Sequence, residues 1–182
     1  SQETLVNTHI WNSDNPEYRS FYDWSESMGS WETRWAPVPL KGVVAYHVFT
    51  PPSGTWKGTC YLLHGYLEHG PLRMPLVEFL LSEGWSAIAI DLPGHGLSTG
   101  RRGEIDDFST YAASLEAVLA AEARDGPMAM IAHSTGCATT MLHALEYETP
   151  FSFAVFEAPL IRTFLWKPSI VAVKLFEGAI SS

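Results

Sequence analysis

Short apolar segments alternate with helical patterns through the middle of this chain, and this alternation restricts the fold more than any other feature. Four apolar runs have strand length and no polar alternation, as strands buried on both faces do: residues 59–63, 87–90, 128–132 and 153–156. Three segments with a helical period separate them: residues 71–84, 108–119 and 135–146. The order predicts an α/β fold, with a mostly parallel sheet and helices on both faces.

The chain before residue 59 differs from this pattern. Residues 31–38 and 43–50 are predicted to form two further strands around a turn. Residues 1–30 are polar and aromatic without a clean period, so we expect an N-terminal arm or loop. The predicted organisation is therefore an arm over 1–30 and an α/β core over 31–159. In the helix over 135–146, we expect Met141, Leu142 and Leu145 to face inward.

Composition excludes several classes of protein. The chain has 20 acidic against 11 basic residues and a formal net charge of −9, which argues against a nucleic-acid-binding surface. No apolar run approaches the roughly 18 residues of a membrane span, and no basic-then-apolar signal pattern begins the sequence. We therefore expect a cytoplasmic protein. Cys60 and Cys137 lie in apolar segments and are predicted to be buried thiols.

Ser134 lies at a predicted strand-to-helix junction within Ala132-His133-Ser134-Thr135-Gly136. A nucleophile elbow holds its serine in strained backbone there, with small residues two positions before and after it. Ala132 replaces the usual Gly at the first of these positions, and Gly136 keeps the second. Ser134 could instead serve only as the N-cap of the following helix. The pentapeptide alone leaves both interpretations open.

His64-Gly65-Tyr66 follows an earlier predicted strand. Acyl transfer through a serine needs two preorganised N–H donors for the oxyanion, one from the residue after the nucleophile and one from such a loop. The candidates are the backbone N–H groups of Thr135 and Tyr66. The alternative for the loop is a glycine turn beside a buried, hydrogen-bonded His64.

Three motifs together resemble the α/β-hydrolase superfamily, in particular its monoglyceride lipase and lysophospholipase branch, also called serine aminopeptidase-like hydrolases. They are H-G-x-x-E-H at residues 64–69, D-x-P-G-H-G-x-S at 91–98 and the serine pentapeptide at 132–136. A strand ending in Ala158-Pro159 fits the position before the lid of this branch. The order and approximate spacing of all four features agree with the family.

The resemblance implies a serine ester hydrolase that acts through an acyl-enzyme, with Ser134 as nucleophile and no metal or organic cofactor. Its expected substrates are apolar acyl esters such as monoacylglycerols or lysophospholipids. Residues 160–182 are expected to begin a lid, which could touch a membrane surface transiently. In the family the triad acid and histidine follow the lid, so both are expected outside these 182 residues, and the chain is expected to be an N-terminal fragment. Alone, it is expected to be inactive.

Three other functions are compatible with parts of the sequence. Residues 94–100 loosely resemble a dinucleotide-binding loop, but further loop residues follow and the next predicted strand ends without an acidic residue. His64 and His69 could bind a metal, although a third ligand is not evident. A non-catalytic binding protein on the same fold is the main alternative, because this chain lacks two triad members.

Overall fold

A computed structural model describes residues 11–52, 56–122 and 124–160. Within them, six strands form one sheet: β1 (Ser30–Val38), β2 (Gly42–Thr50), β3 (Gly58–Leu63), β4 (Trp85–Ile90), β5 (Met128–His133) and β6 (Phe153–Glu157). Their spatial order is β1-β2-β4-β3-β5-β6. The β1–β2 and β2–β4 pairs are antiparallel, and the β4–β3, β3–β5 and β5–β6 pairs are parallel. The predicted α/β class with its mostly parallel sheet is confirmed.

The parallel strands place the three sequence motifs next to one another at the carboxyl ends of β3, β4 and β5. Leu63 pairs with Ile90 on one side and with Ala132 on the other. The residues that follow these strands are the start of the histidine-glycine loop, the aspartate of the second motif and the candidate nucleophile turn. Carboxyl ends of neighbouring parallel strands are where α/β proteins build their sites.

Helices cover both faces of the sheet: α1 (Pro16–Phe21), α2 (Met74–Ser82), α3 (Ser109–Ala121) and α4 (Thr135–Glu146). Tyr61 and Leu63 face a core shared with α3 and α4, whereas Cys60 and Leu62 face a core shared with α1 and α2. This alternation follows from the two-residue period of a strand. Both cysteines are free and buried, as predicted. No helix in the described ranges has the length and apolarity to cross a membrane.

Residues 11–30, the described part of the expected N-terminal arm or loop, contain a short helix and buried aromatic side chains. Asn15 caps α1 by accepting hydrogen bonds from the N–H groups of Glu17 and Tyr18. Tyr18 and Trp24 are buried against Trp31 in the core beside α2. Tyr18 and Trp24 thus form the packing face of a short helix and its following turn, whereas Phe21 is exposed. The division at residue 30 stays a prediction.

Two burial predictions are wrong. The last strand, β6, is exposed at four of its five positions, on both faces of the sheet, instead of buried, because among the described residues β5 is its only extensively packed neighbour. In α4, Leu145 is 84% exposed, and the fully buried position of that turn is His143, whose Nε2 bonds to the Glu116 carboxylate at 2.8 Å. The predicted lid over 160–182 lies outside the described residues, apart from Leu160.

Candidate active site

Ser134 occupies a strained turn between β5 and α4. Its backbone has φ 48° and ψ −107°, a conformation that residues other than glycine rarely adopt. The Ser134 N–H donates to the carbonyl oxygen of Glu157 at 3.0 Å, which ties the turn to the end of β6. Two other residues with side chains, Leu67 and Ala158, also have positive φ near this sheet edge, at 62° and 45°. Three of the five non-glycine residues with positive φ in the described ranges therefore lie where the motifs meet; the other two, Asp23 and Leu40, lie elsewhere.

The hydroxyl of Ser134 does not cap the helix that follows. Ser134 is the N-cap residue of α4 by position, but its side chain makes no hydrogen bond to the helix backbone. The alternative in which this serine serves only as a cap therefore loses its physical basis. The side chain is partly exposed and remains available to another group.

The peptide group between Ser134 and Thr135 is held in one orientation. Its carbonyl oxygen accepts hydrogen bonds from the N–H groups of Cys137 at 3.1 Å and Leu160 at 3.2 Å. Because a trans peptide is planar, the N–H of Thr135 points away from those donors. It is also one of the first N–H groups of α4, which have no partner within a helix. It donates to no acceptor in the part of the chain that the structure describes.

The loop after β3 is fixed through His64. This imidazole is buried; its Nδ1–H donates to the Gly65 carbonyl oxygen at 2.7 Å, and its Nε2 accepts the Leu92 N–H at 2.9 Å. Burial lowers the pKa of His64 to about 4. Because both ring nitrogens are engaged and the ring stays neutral, His64 is a structural residue of the loop.

Tyr66 presents a second N–H group in a similar way. The carbonyl oxygen of its preceding peptide, that of Gly65, accepts from His64 and from the N–H of Glu68 at 3.2 Å. The N–H of Tyr66 therefore points to the opposite side of that peptide and has no acceptor within the described ranges. The exposed phenol of Tyr66 donates to the Gly103 carbonyl oxygen at 3.0 Å, which ties this loop to the loop after β4.

Glu68 connects this loop to the serine turn, which the motif alone did not indicate. Its Oε2 accepts the Gly65 N–H at 2.8 Å and the Nδ1–H of His133 at 3.1 Å. Partial burial acts to raise the pKa of Glu68, but these two hydrogen bonds outweigh it and lower the pKa. The only available signal was the position of the glutamate within H-G-x-x-E-H, three residues after the glycine.

Asp91 organises the glycine-rich loop after β4. Its carboxylate is fully buried and accepts the N–H groups of Gly70 at 2.7 Å and Leu97 at 2.8 Å. Burial acts to raise the pKa of this carboxyl group, but His47 and the backbone donors lower it to about 2. The glycines of the loop do not open into a helix, since α3 begins only at Ser109. This loop lacks the geometry of a dinucleotide-binding turn.

None of the six described histidines is hydrogen-bonded to Ser134. Besides His64 and His133, His47 bonds to Trp31, Thr33 and Asp91, and His69 to the phenol of Tyr22. The Nδ1–H of His95 donates to the Pro93 carbonyl oxygen, and His143 bonds to Glu116. In residues 11–52, 56–122 and 124–160, no three His, Cys, Asp or Glu side chains are arranged so that they could hold one metal ion. His64 and His69 each have other partners.

Comparison with known proteins agrees with this architecture. A family model described as "Serine aminopeptidase, S33" matches residues 54–178, more than half of the chain. Rat monoglyceride lipase is 33% identical over 127 residues, which cover 68% of this chain and 42% of that protein. A monoacylglycerol lipase of Mycolicibacterium smegmatis is 26% identical over 122 residues, covering 65% of this chain and 43% of that protein. The chain thus spans less than half the length of these curated relatives.

A solved structure of a soluble variant of monoglyceride lipase from Saccharomyces cerevisiae, in complex with a substrate analog, has the same fold. It superposes with a TM-score of 0.64 at 21% identity, covering 85% of this chain and 53% of that chain. The expected fold and the expected family are confirmed by these matches. The chain belongs to the serine aminopeptidase S33 family of α/β-hydrolases.

Proposed function

We propose that the protein hydrolyses carboxylic esters of apolar acyl groups through an acyl-enzyme on Ser134. The observation that carries this proposal is the strained Ser134 turn, whose hydroxyl makes no capping bond, beside a loop whose Tyr66 N–H has no acceptor within the described ranges. Nucleophile elbows and oxyanion loops of α/β-hydrolases are built in this way.

In the proposed reaction, Ser134 Oγ attacks the ester carbonyl carbon while a general base takes its proton. The carbonyl oxygen becomes an oxyanion that the N–H groups of Tyr66 and Thr135 stabilise. Collapse expels the alcohol, which receives the proton, and leaves an acyl-serine. Water then attacks the acyl group, its proton passes through the same base, and Ser134 leaves with the regenerated hydroxyl. The base and its acid are expected after the lid, as in the family.

The substrate class rests on the relatives and on the surface near the site. The rat and mycobacterial relatives are named for monoglyceride and monoacylglycerol lipase activity. On this chain, Tyr66 and Leu67 are 57% and 68% exposed at the loop beside Ser134. Such exposed apolar surface fits contact with an acyl chain and with the predicted lid over 160–182, which could also touch a membrane surface.

The test uses the full-length gene product and a fluorophosphonate probe that labels activated serines. Ser134→Ala should abolish labelling and nearly all hydrolysis of 1-monooleoylglycerol and of a lysophospholipid. The matched control is Ser82→Ala, which removes an exposed hydroxyl of α2 whose one hydrogen bond among the described residues is to the Phe79 carbonyl oxygen. This variant should label and turn over like the wild type.

Two results would overturn the proposal. Labelling of Ser134→Ala at another serine would show that the nucleophile lies elsewhere. Absence of labelling and turnover in the wild-type protein would favour the non-catalytic binding protein. An aminoacyl p-nitroanilide serves as the amide counterpart, since the family description names aminopeptidases. Faster cleavage of this amide than of the esters would contradict the ester assignment.

A further inference from the structure

A single carboxylate oxygen joins the two halves of the candidate oxyanion site. Glu68 Oε2 lies 2.8 Å from the Gly65 nitrogen and 3.1 Å from His133 Nδ1. Gly65 precedes the donor Tyr66, and His133 lies two residues before the donor Thr135. An ionised carboxylate only accepts hydrogen bonds, so His133 Nδ1 carries the hydrogen in this contact.

Gly65, Glu68 and His133 are packed so closely that the loop backbone has little room to move. A Cβ built on Gly65 would lie 2.7 Å from His133 Nδ1 and 3.2 Å from Glu68 Oε2. The loop backbone, the carboxylate and the imidazole are therefore in mutual contact. The backbone turn is closed on the other side by the bond from the Glu68 N–H to the Gly65 carbonyl oxygen.

We propose that Glu68 is a positioning residue that sets the separation of the Tyr66 and Thr135 N–H groups by holding the loop after β3 against the residue that precedes Ser134. This inference rests on the proposed function. Oxyanion donors act only when they lie within hydrogen-bond distance of the developing charge, so a displacement of about 1 Å can cost about 10²-fold in rate.

The position of the acceptor, rather than its charge, is what this role requires. Glu68 uses one oxygen for both contacts, and the carbonyl oxygen of glutamine can accept two hydrogen bonds at the same place. Glu68→Gln should therefore retain most of the effect, whereas Glu68→Asp should lose it because its chain is one methylene shorter. A purely electrostatic role would give the opposite order for these two variants.

The experiment measures kcat, KM and the fluorophosphonate-titrated fraction of active sites in the full-length gene product. For Glu68→Ala and Glu68→Asp we expect kcat per titrated site to fall about 30- to 100-fold, with KM changed by less than about threefold. Glu68→Gln should stay within about fivefold of wild type. The matched control is Glu78→Ala, which removes an exposed carboxylate of α2.

Titration separates positioning from a folding role, because a destabilised variant loses active sites but keeps the kcat of the remaining ones. If Glu68→Ala does not fold, His133→Ala provides the second test and should lower kcat per site about tenfold. The double variant, where it folds, should be no slower than the slower single variant, since both remove one connection. Additive losses would show that Glu68 and His133 act independently and would contradict the proposal.

The outcomes separate this inference from the proposed function. Turnover that survives Ser134→Ala overturns the proposed function and this inference together. Turnover that depends on Ser134 but is unchanged per titrated site in Glu68→Ala overturns the inference alone. A Glu68→Gln variant as slow as Glu68→Ala also overturns it, because the acceptor would then not suffice.

Discussion

Gly136 lies directly against Leu63, so that a Cβ built on Gly136 would be 2.7 Å from the Leu63 carbonyl oxygen and 2.8 Å from its Cβ. This contact joins the first turn of α4 to the end of β3. The serine turn can approach the neighbouring strand only because residue 136 has no side chain. The small residue two positions after Ser134 is thus explained by a specific close approach.

Gly136→Ala should therefore destabilise the protein and displace Ser134. We expect a loss of about 1–3 kcal/mol in the free energy of unfolding, as for other overpacked sites, and at least tenfold slower fluorophosphonate labelling. Urea unfolding and labelling rates of the full-length gene product measure both effects. The control Ala138→Gly removes one methyl group in the same helix. It should lower the free energy of unfolding by only about 0.5–1 kcal/mol and leave the labelling rate unchanged. Wild-type stability of Gly136→Ala would contradict the steric explanation.

The sequence was sufficient to place the motifs together at the carboxyl ends of the parallel strands, because apolar runs identify those strands. It also indicated that Gly65 and Gly136 permit close backbone approach. It could not predict which residues pack against these glycines. The His133 ring lies beside Gly65 and bonds to Glu68, although His133 and Glu68 are 65 residues apart in the sequence. Long-range contacts of this kind depend on strand order, which the spacing of motifs does not determine.

Tyr66 supports two distinct predictions, one for its backbone and one for its phenol. Tyr66→Pro removes the proposed oxyanion donor and should lower kcat about 10²- to 10³-fold. Tyr66→Phe removes only an exposed hydrogen bond to Gly103 and should keep kcat within about fivefold. Steady-state kinetics with 1-monooleoylglycerol distinguish the two, after circular dichroism has shown that Tyr66→Pro is folded. A loss with phenylalanine as large as that with proline would assign the phenol a role in turnover.

Burial was the least predictable property near the chain's later elements. Helical periodicity predicted that Leu145 faces the core. In the structure, His143 faces inward in this last turn of α4, and its buried imidazole bonds to Glu116 on α3. Periodicity treats histidine as polar and leucine as apolar, so it selects the wrong face when a polar pair forms between two helices. The exposure of β6 was not predicted for a different reason: an apolar run does not reveal whether other elements cover its strand.

The buried His64 should make stability depend on pH. Its imidazole binds a proton near pH 6.5 in the unfolded chain but only near pH 4 in the folded protein. Its contribution is therefore present in full above pH 6.5 and is lost as the pH falls from 6.5 to 4. The loss over this window is on the order of 3 kcal/mol, from 1.36 kcal/mol per pKa unit.

Urea unfolding of the wild type and of His64→Gln between pH 7 and 4.5 tests this expectation. The variant should be less stable at pH 7, where it lacks the paired imidazole, and its stability should fall less on acidification. The two curves should converge toward pH 4.5. Parallel curves over the whole range would show that His64 is not the group that binds the additional proton on unfolding.

A polypeptide of these 182 residues expressed alone should be a poor esterase. A neutral serine is a weak nucleophile unless a base takes its proton, and none of the described histidines is hydrogen-bonded to Ser134. The exposed side chains of β6, among them Phe153 and Phe156, should also promote association through an uncovered strand.

Purified 182-residue protein should therefore hydrolyse p-nitrophenyl butyrate at least about 10³-fold more slowly than the full-length gene product, with Ser134→Ala measured in both. Residual turnover is expected from the oxyanion donors, because their contribution is separable from that of the triad. Size-exclusion chromatography should show association at micromolar concentration. Full, Ser134-dependent turnover by the short chain would instead require one of its own seven histidines to act as the base.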